Sequence, residues 1–146
     1  MAGGTAPERK ERPPPMRFAV DRLDHLVITC RDIEITAAWY QRVLGMEREA
    51  FGPGGERTAL KFGGQKINLH EAGREFRPNA AHAAPGTQDL CFVTAITPAE
   101  IVGHLHDCGV EILEGPVRRT GALGPITSIY CRDPDGNLIE ISTYGA

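Results

Sequence analysis

Leu23 to Gly45 reads LDHLVITCRDIEITAAWYQRVLG. Its first eight residues, LDHLVITC, are aliphatic and β-branched and predict a strand. Asp32 then stands where its carboxylate can accept from the free N–H groups of a helix running from Ile33 to about Leu44. Gly45 supplies the left-handed residue that stops that helix. Ile33, Ala37, Tyr40 and Leu44 recur at steps of three and four, so the helix buries one stripe. Short strands follow over 47–51, 58–62 and 66–71, with GPGG (52–55) and GG (63–64) as turns. The order is βαβββ.

The second half repeats it. QDLCFVT (88–94) predicts a strand. Thr97-Pro98-Ala99-Glu100 starts a helix with a hydroxyl cap and a proline whose missing N–H the first turn does not need. That helix is expected to run to about Cys108 and end at Gly109, with a short strand over Val110–Leu113. ITSIYC (126–131), DPDGN (133–137) and LIEIST (138–143) read as a hairpin. Between the halves, Ala72 to Gly86 is rich in Pro and Ala and lacks periodicity, so it is a functional loop or a linker. The expected fold class is therefore α+β, two tandem βαβββ modules forming a cup-shaped mixed sheet with the helices outside. Residues 1–17 are expected to be a disordered arm and 18–146 one domain. Within it, module one covers about 20–72, the loop 73–86 and module two about 87–144. Each module alone is at the size where a core is marginal, so the two should share one.

Composition narrows the partners. Lys plus Arg is 16 and Asp plus Glu is 19 over 146 residues, a net charge of −3. That balance lacks the basic footprint of a nucleic-acid binder. No apolar run approaches the ~20 residues that span a bilayer, and the N-terminus lacks the apolar core of a secretory signal. The expectation is a cytoplasmic protein with no nucleic-acid or membrane partner. Cys30, Cys91, Cys108 and Cys131 contain no Cys-x-x-Cys pair, which argues against a metal finger or a disulfide framework and for reduced thiols.

Strand alternation locates a candidate site. Leu26, Ile28 and Cys30 oppose His25, Val27 and Thr29, and Ile67 and Leu69 oppose Lys66, Asn68 and His70. In the second half Leu90 and Phe92 oppose Asp89 and Cys91, while Ile139 and Ile141 oppose Glu140 and Ser142. With the apolar parity against the helices, His25, Asn68, His70, Asp89 and Glu140 face a shared concave surface.

The βαβββ duplication, the opening LDHLVITCRDIEITAAWYQRVLG and the closing RDPDGNLIEIS resemble the vicinal oxygen chelate superfamily. This superfamily includes glyoxalase I, methylmalonyl-CoA epimerase, extradiol dioxygenases, fosfomycin-resistance enzymes and bleomycin-binding proteins. FGGQKINLHEAG, PGTQDLCFVT and EGPVRRTGALGPITSIYC resemble the glyoxalase domain-containing protein 5 group and its bacterial relatives more specifically. The resemblance implies one divalent metal held from the first and last strands of each module. His25 and Glu140 match the ligand pattern; Asn68 stands where Glu or Gln is usual, and Asp89 where the second His is usual. Without that second His, extradiol cleavage, which uses two His and a carboxylate on Fe(II), is not expected.

One imidazole, two carboxylates and an amide oxygen suit Mn, Ni, Fe(II), Mg or Zn without fixing which. The expected activity is a metal-dependent glyoxalase-type lyase or isomerase acting on a small substrate with neighbouring oxygens, with Glu140 and His70 as catalytic groups. The alternatives are a metal-free drug or natural-product binder and a thiol transferase conferring antibiotic resistance. A homodimer is implied as well. Arg118 and Arg119, read as a Gly-flanked loop, are candidates for a substrate carboxylate or phosphate. Arg74, Arg77 and His82 lie on the long loop as candidate lid residues. His104 and His106 are read as surface residues, and Trp39 and Tyr40 as core or dimer interface.

Overall fold

The computed structural model describes residues 3–4 and 17–145. Apart from Gly3, Gly4 and Arg17, the arm expected over residues 1–17 lies outside the described residues. The first module consists of β1 (His25–Cys30), α1 (Ile33–Leu44), β2 (Glu47–Phe51), β3 (Arg57–Phe62) and β4 (Gln65–Glu71). The second consists of β5 (Asp89–Val93), α2 (Pro98–Asp107), β6 (Glu114–Gly121), β7 (Gly124–Arg132) and β8 (Leu138–Thr143). Each module has one four-stranded sheet, ordered β1-β4-β3-β2 and β5-β8-β7-β6. In each, the first strand runs parallel to the last and the remaining pairs are antiparallel. The fold is α+β, as expected.

The helix ends follow from their caps. Asp32 Oδ1 accepts from Ile35 N at 3.1 Å, and Gly45 turns the chain out of α1 with φ of 66°. Thr97 Oγ1 accepts from Glu100 N at 3.2 Å, with Pro98 opening α2.

The link into β6 differs from expectation. Val110–Leu113 is not a strand: Val110 N closes the helix on Leu105 O. The strand begins at Glu114 and runs through the stretch read as a loop. Gly115 packs so tightly that a Cβ there would sit 2.5 Å from Ser128 O, and the register shifts between Glu114 and Val117. A bulge of this kind accommodates Pro116, which has no N–H to give a ladder. Gly and Pro therefore mark an irregular strand here.

Alternation sorts the side chains as expected. Ile28, Leu69, Ile129 and Ile139 from the two sheets join Tyr40 of α1 and Leu105 of α2 in one apolar cluster. Burying a large aliphatic side chain contributes roughly 1.5–3 kcal/mol, and both modules contribute such side chains to this cluster. Tyr40 is thereby a core residue.

The DPDGN turn ties the modules together with polar groups. Asp133 Oδ2 accepts from Tyr40 OH and from Asn137 Nδ2, both at 2.7 Å. Its Oδ1 accepts from Asp135 N and Asn137 N, both at 2.9 Å. Asn137 Oδ1 accepts from Gln88 N at 2.9 Å, just before β5. Burial first, then the Asp133 charge, pushes the Tyr40 phenol far above its usual range, so it remains a donor. No helix among the described residues is long and apolar enough to cross a membrane.

Tyr40→Phe keeps the ring and deletes the donor to a buried carboxylate. We expect a loss of about 1.5–3 kcal/mol in denaturant unfolding, the range for hydrogen bonds to charged groups. A loss within about 0.5 kcal/mol would show that Asp133 does not depend on the first module.

Candidate functional site

The polar face of module one is built in rows by strand register. Across β1 and β4, His25 pairs with Lys66, Val27 with Asn68 and Thr29 with His70. Ala59 of β3 pairs with Asn68 from the other side. His25 Nδ1–H donates to the Asp24 carboxylate at 2.8 Å, leaving Nε2 as the free ring nitrogen. That hydrogen bond is the main reason the Asp24 carboxyl lies below its usual range. Asn68 Oδ1 and His70 Nδ1 are sealed from solvent and, among the described residues, have no hydrogen-bond partner. His70 is 7% exposed. Its burial, and then the Arg57 charge, lower its pKa, with Glu75 opposing. His70 is thus neutral near pH 7.

The loop between β4 and β5 lies over one end of this face. Phe76 meets the His70 ring edge-on, with centroids 5.5 Å apart. Behind it, Val27, Thr29, His70 and loop residues including His82 line a cavity of about 100 Å³. Of the three candidate lid residues, His82 lines this cavity. Arg74 sits 3.8 Å from Glu71, with its side chain 82% exposed, and Arg77 is exposed.

Module two carries the matching face. Cys91 pairs with Glu140, and Asp89 lies two residues back on the same side of β5, exposed. Glu140 Oε2 accepts from Ser128 Oγ at 2.6 Å and from Ser142 Oγ at 3.4 Å. Those two hydroxyls are 2.7 Å apart, and Cys91 Sγ is 3.3 Å from Ser142 Oγ. One Glu140 oxygen is therefore held by the sheet, and Oε1 takes no part in these bonds. Tyr130 pairs with Glu140 on the adjacent strand.

Arg118 and Arg119 do not act as a pair. On a strand they point to opposite faces, so a single anion cannot be gripped by both. Arg119 is on the Glu140 face, where its Nε donates to Tyr130 OH at 3.2 Å and its Nη2 to Glu114 Oε1 at 3.1 Å. Arg118 lies on the other side, exposed. The loop reading failed because the bulged start of β6 looks like a turn.

Among the described residues, no three His, Cys, Asp or Glu side chains come together in a group able to hold a metal ion. His25, Asp89 and Glu140 are thus not gathered by a single chain, although each lies on the face that alternation assigned.

Several neighbours of the site were not singled out from the sequence. Ser128 and Tyr130 share a parity in ITSIYC opposite Ile129 and Cys131, and that alternation was the available signal. Arg57 had none, because it follows a glycine turn and reaches the face through the pairing of β3 with β4.

The match to known proteins agrees with this geometry. Residues 22–141 match the model of the Glyoxalase/Bleomycin resistance protein/Dioxygenase superfamily, and the chain belongs to that family. Its relatives include the glyoxalase domain-containing protein RDO1 of Mycosarcoma maydis, 53% identical over 97% of this chain and 77% of that protein. A solved integron cassette protein from the mobile metagenome of Vibrio cholerae superposes with a TM-score of 0.84 at 54% identity. It covers 88% of this chain and 98% of its own. The fold alone is shared with lactoylglutathione lyase from Agrobacterium tumefaciens, at 20% identity and TM-score 0.65 over 86% and 96% of the two chains. The same holds for TnmS3, an antibiotic binding protein from a Streptomyces species, at 21% identity and TM-score 0.67 over 86% and 98%.

The thiols give a direct check on the two sheets. Among the described residues all four cysteines are free. Burial pushes Cys30 and Cys131 up to about 11, so at about pH 8 each is almost wholly protonated as well as inaccessible. We expect thiol titration of the folded protein to spare both and unfolding to release all four. Reaction of more than two in the folded state would contradict the placement of β1 and β7.

Proposed function

We propose that the protein is a metal-dependent glyoxalase-type lyase or isomerase, working as a homodimer on a small substrate with two neighbouring oxygens. The observation that carries this is the condition of the two best-matched ligands. His25 is held at Nδ1 by Asp24, and Glu140 at Oε2 by Ser128. Each keeps one donor atom free of those bonds, which is how ligating His and carboxylate side chains are oriented by their neighbours. The orphaned Asn68 Oδ1 adds a buried acceptor that lacks a positive partner. This donor set fits a hard or borderline divalent cation, Mn, Ni, Fe(II), Mg or Zn.

Because one chain does not gather the set, His25 and Asn68 of one protomer would meet Asp89 and Glu140 of its partner. Negative charge developing on a substrate oxygen is what a bound divalent cation neutralises. His70 supplies the base. Held neutral by burial, it can accept a proton near pH 7 and return it to a neighbouring carbon, and Glu140 is the second candidate for that role. Small-molecule binding is common to the family, and the substrate reading rests on that. The cytoplasm is the compartment that the sequence suggests.

The test is metal content and thermal stability of protein purified without chelator. We expect bound metal, and a rise in melting temperature on adding Mn(II) or Ni(II). At a hundredfold excess over Kd such binding stabilises by about 2.7 kcal/mol. His25→Ala and Glu140→Ala should each remove the rise while leaving the metal-free melting temperature nearly unchanged. No bound metal and no rise with any of these ions would overturn the proposal and favour metal-free binding or thiol transfer.

A further inference from the structure

We infer that the polar face of module one carries a carboxylate subsite built by Arg57 and His70, so that the substrate is a small carboxylic acid. The inference deepens the proposed function by naming the substrate class. Its own evidence is confined to module one and does not require the metal.

Among the described residues, three polar atoms on this face are sealed from solvent without a partner: the donors Arg57 Nε and His70 Nδ1, and the acceptor Asn68 Oδ1. A buried donor left unpaired is costly, and Arg57 Nε and His70 Nδ1, side by side on one small space, call for an acceptor there. Arg57 and His70 are neighbours by register. Thr58 pairs with Leu69, and the next residue of each strand brings these two side by side. Gly52 makes room for the arginine, since a Cβ there would stand 3.2 Å from Arg57 Cδ. Phe76 roofs the arrangement, its ring 4.1 Å from the guanidinium carbon. Lys66 lies on the same face, its Nζ 3.8 Å from the centre of the Phe51 ring. Among the described residues neither Arg57 nor Lys66 joins an ion pair, whereas Lys61 nearby is paired with Glu49.

The space between Arg57, Asn68, His70 and Phe76 is about 10 Å³, room for one oxygen atom. Through the shared wall of His70 it adjoins the 100 Å³ cavity under the loop. A carboxylate oxygen fits the smaller space, accepting from Arg57 Nε–H and His70 Nδ1–H, while its carbon chain extends into the larger one. Donation from Nδ1 also selects the tautomer with a free lone pair on Nε2, the nitrogen that a base needs. His25 lies two rows away on β1, with Asn68 between, each row about 7 Å from the next. The acid group is thus separated from the chelating oxygens by several bonds.

The test is an NMR titration of the chelator-treated full chain, following the Arg57 Nε–H and His70 ring signals with acetate and then with its neutral isostere acetamide. We expect saturable shifts with acetate, at least about tenfold weaker binding of acetamide, and loss of the acetate response in both Arg57→Gln and Arg57→Lys. The same acetate and acetamide affinities, an unchanged response in both variants, or no saturable shift at all (a trapped water only) would each overturn the inference. Acetate binding in a protein that never takes up metal would sink the proposed function and leave this subsite standing. Metal binding without an acetate response would do the reverse.

Discussion

The Asp133 carboxylate is 5% exposed and accepts four hydrogen bonds, one of them from the other module. A buried charge is tolerable when it is this fully satisfied, and satisfying it fixes several things together. It closes the turn that starts β8, and through Asn137 it holds the backbone at Gln88 where β5 begins. Through Tyr40 it binds that corner to α1. Asp135 in the same turn accepts from Arg31 N at 3.2 Å, at the exit of β1. Three of the four strands bearing the candidate ligands are thus anchored within a few residues of one carboxylate.

The shared core does the complementary work. Both helices and the inner parity of both sheets bury their aliphatic side chains in one cluster. The outer parity is thereby left to residues that do not need burial. That division lets β1, β4, β5 and β8 carry His25, Asn68, Asp89 and Glu140 without weakening the fold. It also leaves two polar faces per chain, each furnished with oriented or orphaned atoms and each incomplete as a metal site. In the proposed function a second copy of the chain supplies the missing half.

Much of this was legible in the sequence. The caps at Asp32 and Thr97, the stop at Gly45 and the alternation along LDHLVITC and LIEIST settle elements and faces, because they depend on near neighbours. The strand over Glu114–Gly121 was not legible, since its bulge is stabilised by packing of Gly115 against β7, a contact between distant residues. For the same reason Arg118 and Arg119 look like a loop pair in the sequence but lie on successive positions of a strand. Arg57 escaped notice because its role comes from register across β3 and β4. In local pattern the DPDGN turn is a hairpin connector, and its hold on Tyr40 is a contact between residues far apart in the chain.

Assembly of one metal site from two chains can be checked by mixing two defective variants. His25→Ala and Glu140→Ala protomers, unfolded together and refolded, would form mixed dimers. In these, one site draws His25 and Asn68 from the Glu140→Ala chain, and Asp89 and Glu140 from the His25→Ala chain. Metal binding, absent from each variant alone, should return in the mixture as one site per mixed dimer. A mixture that forms mixed dimers yet binds no more metal than the separate variants would contradict it.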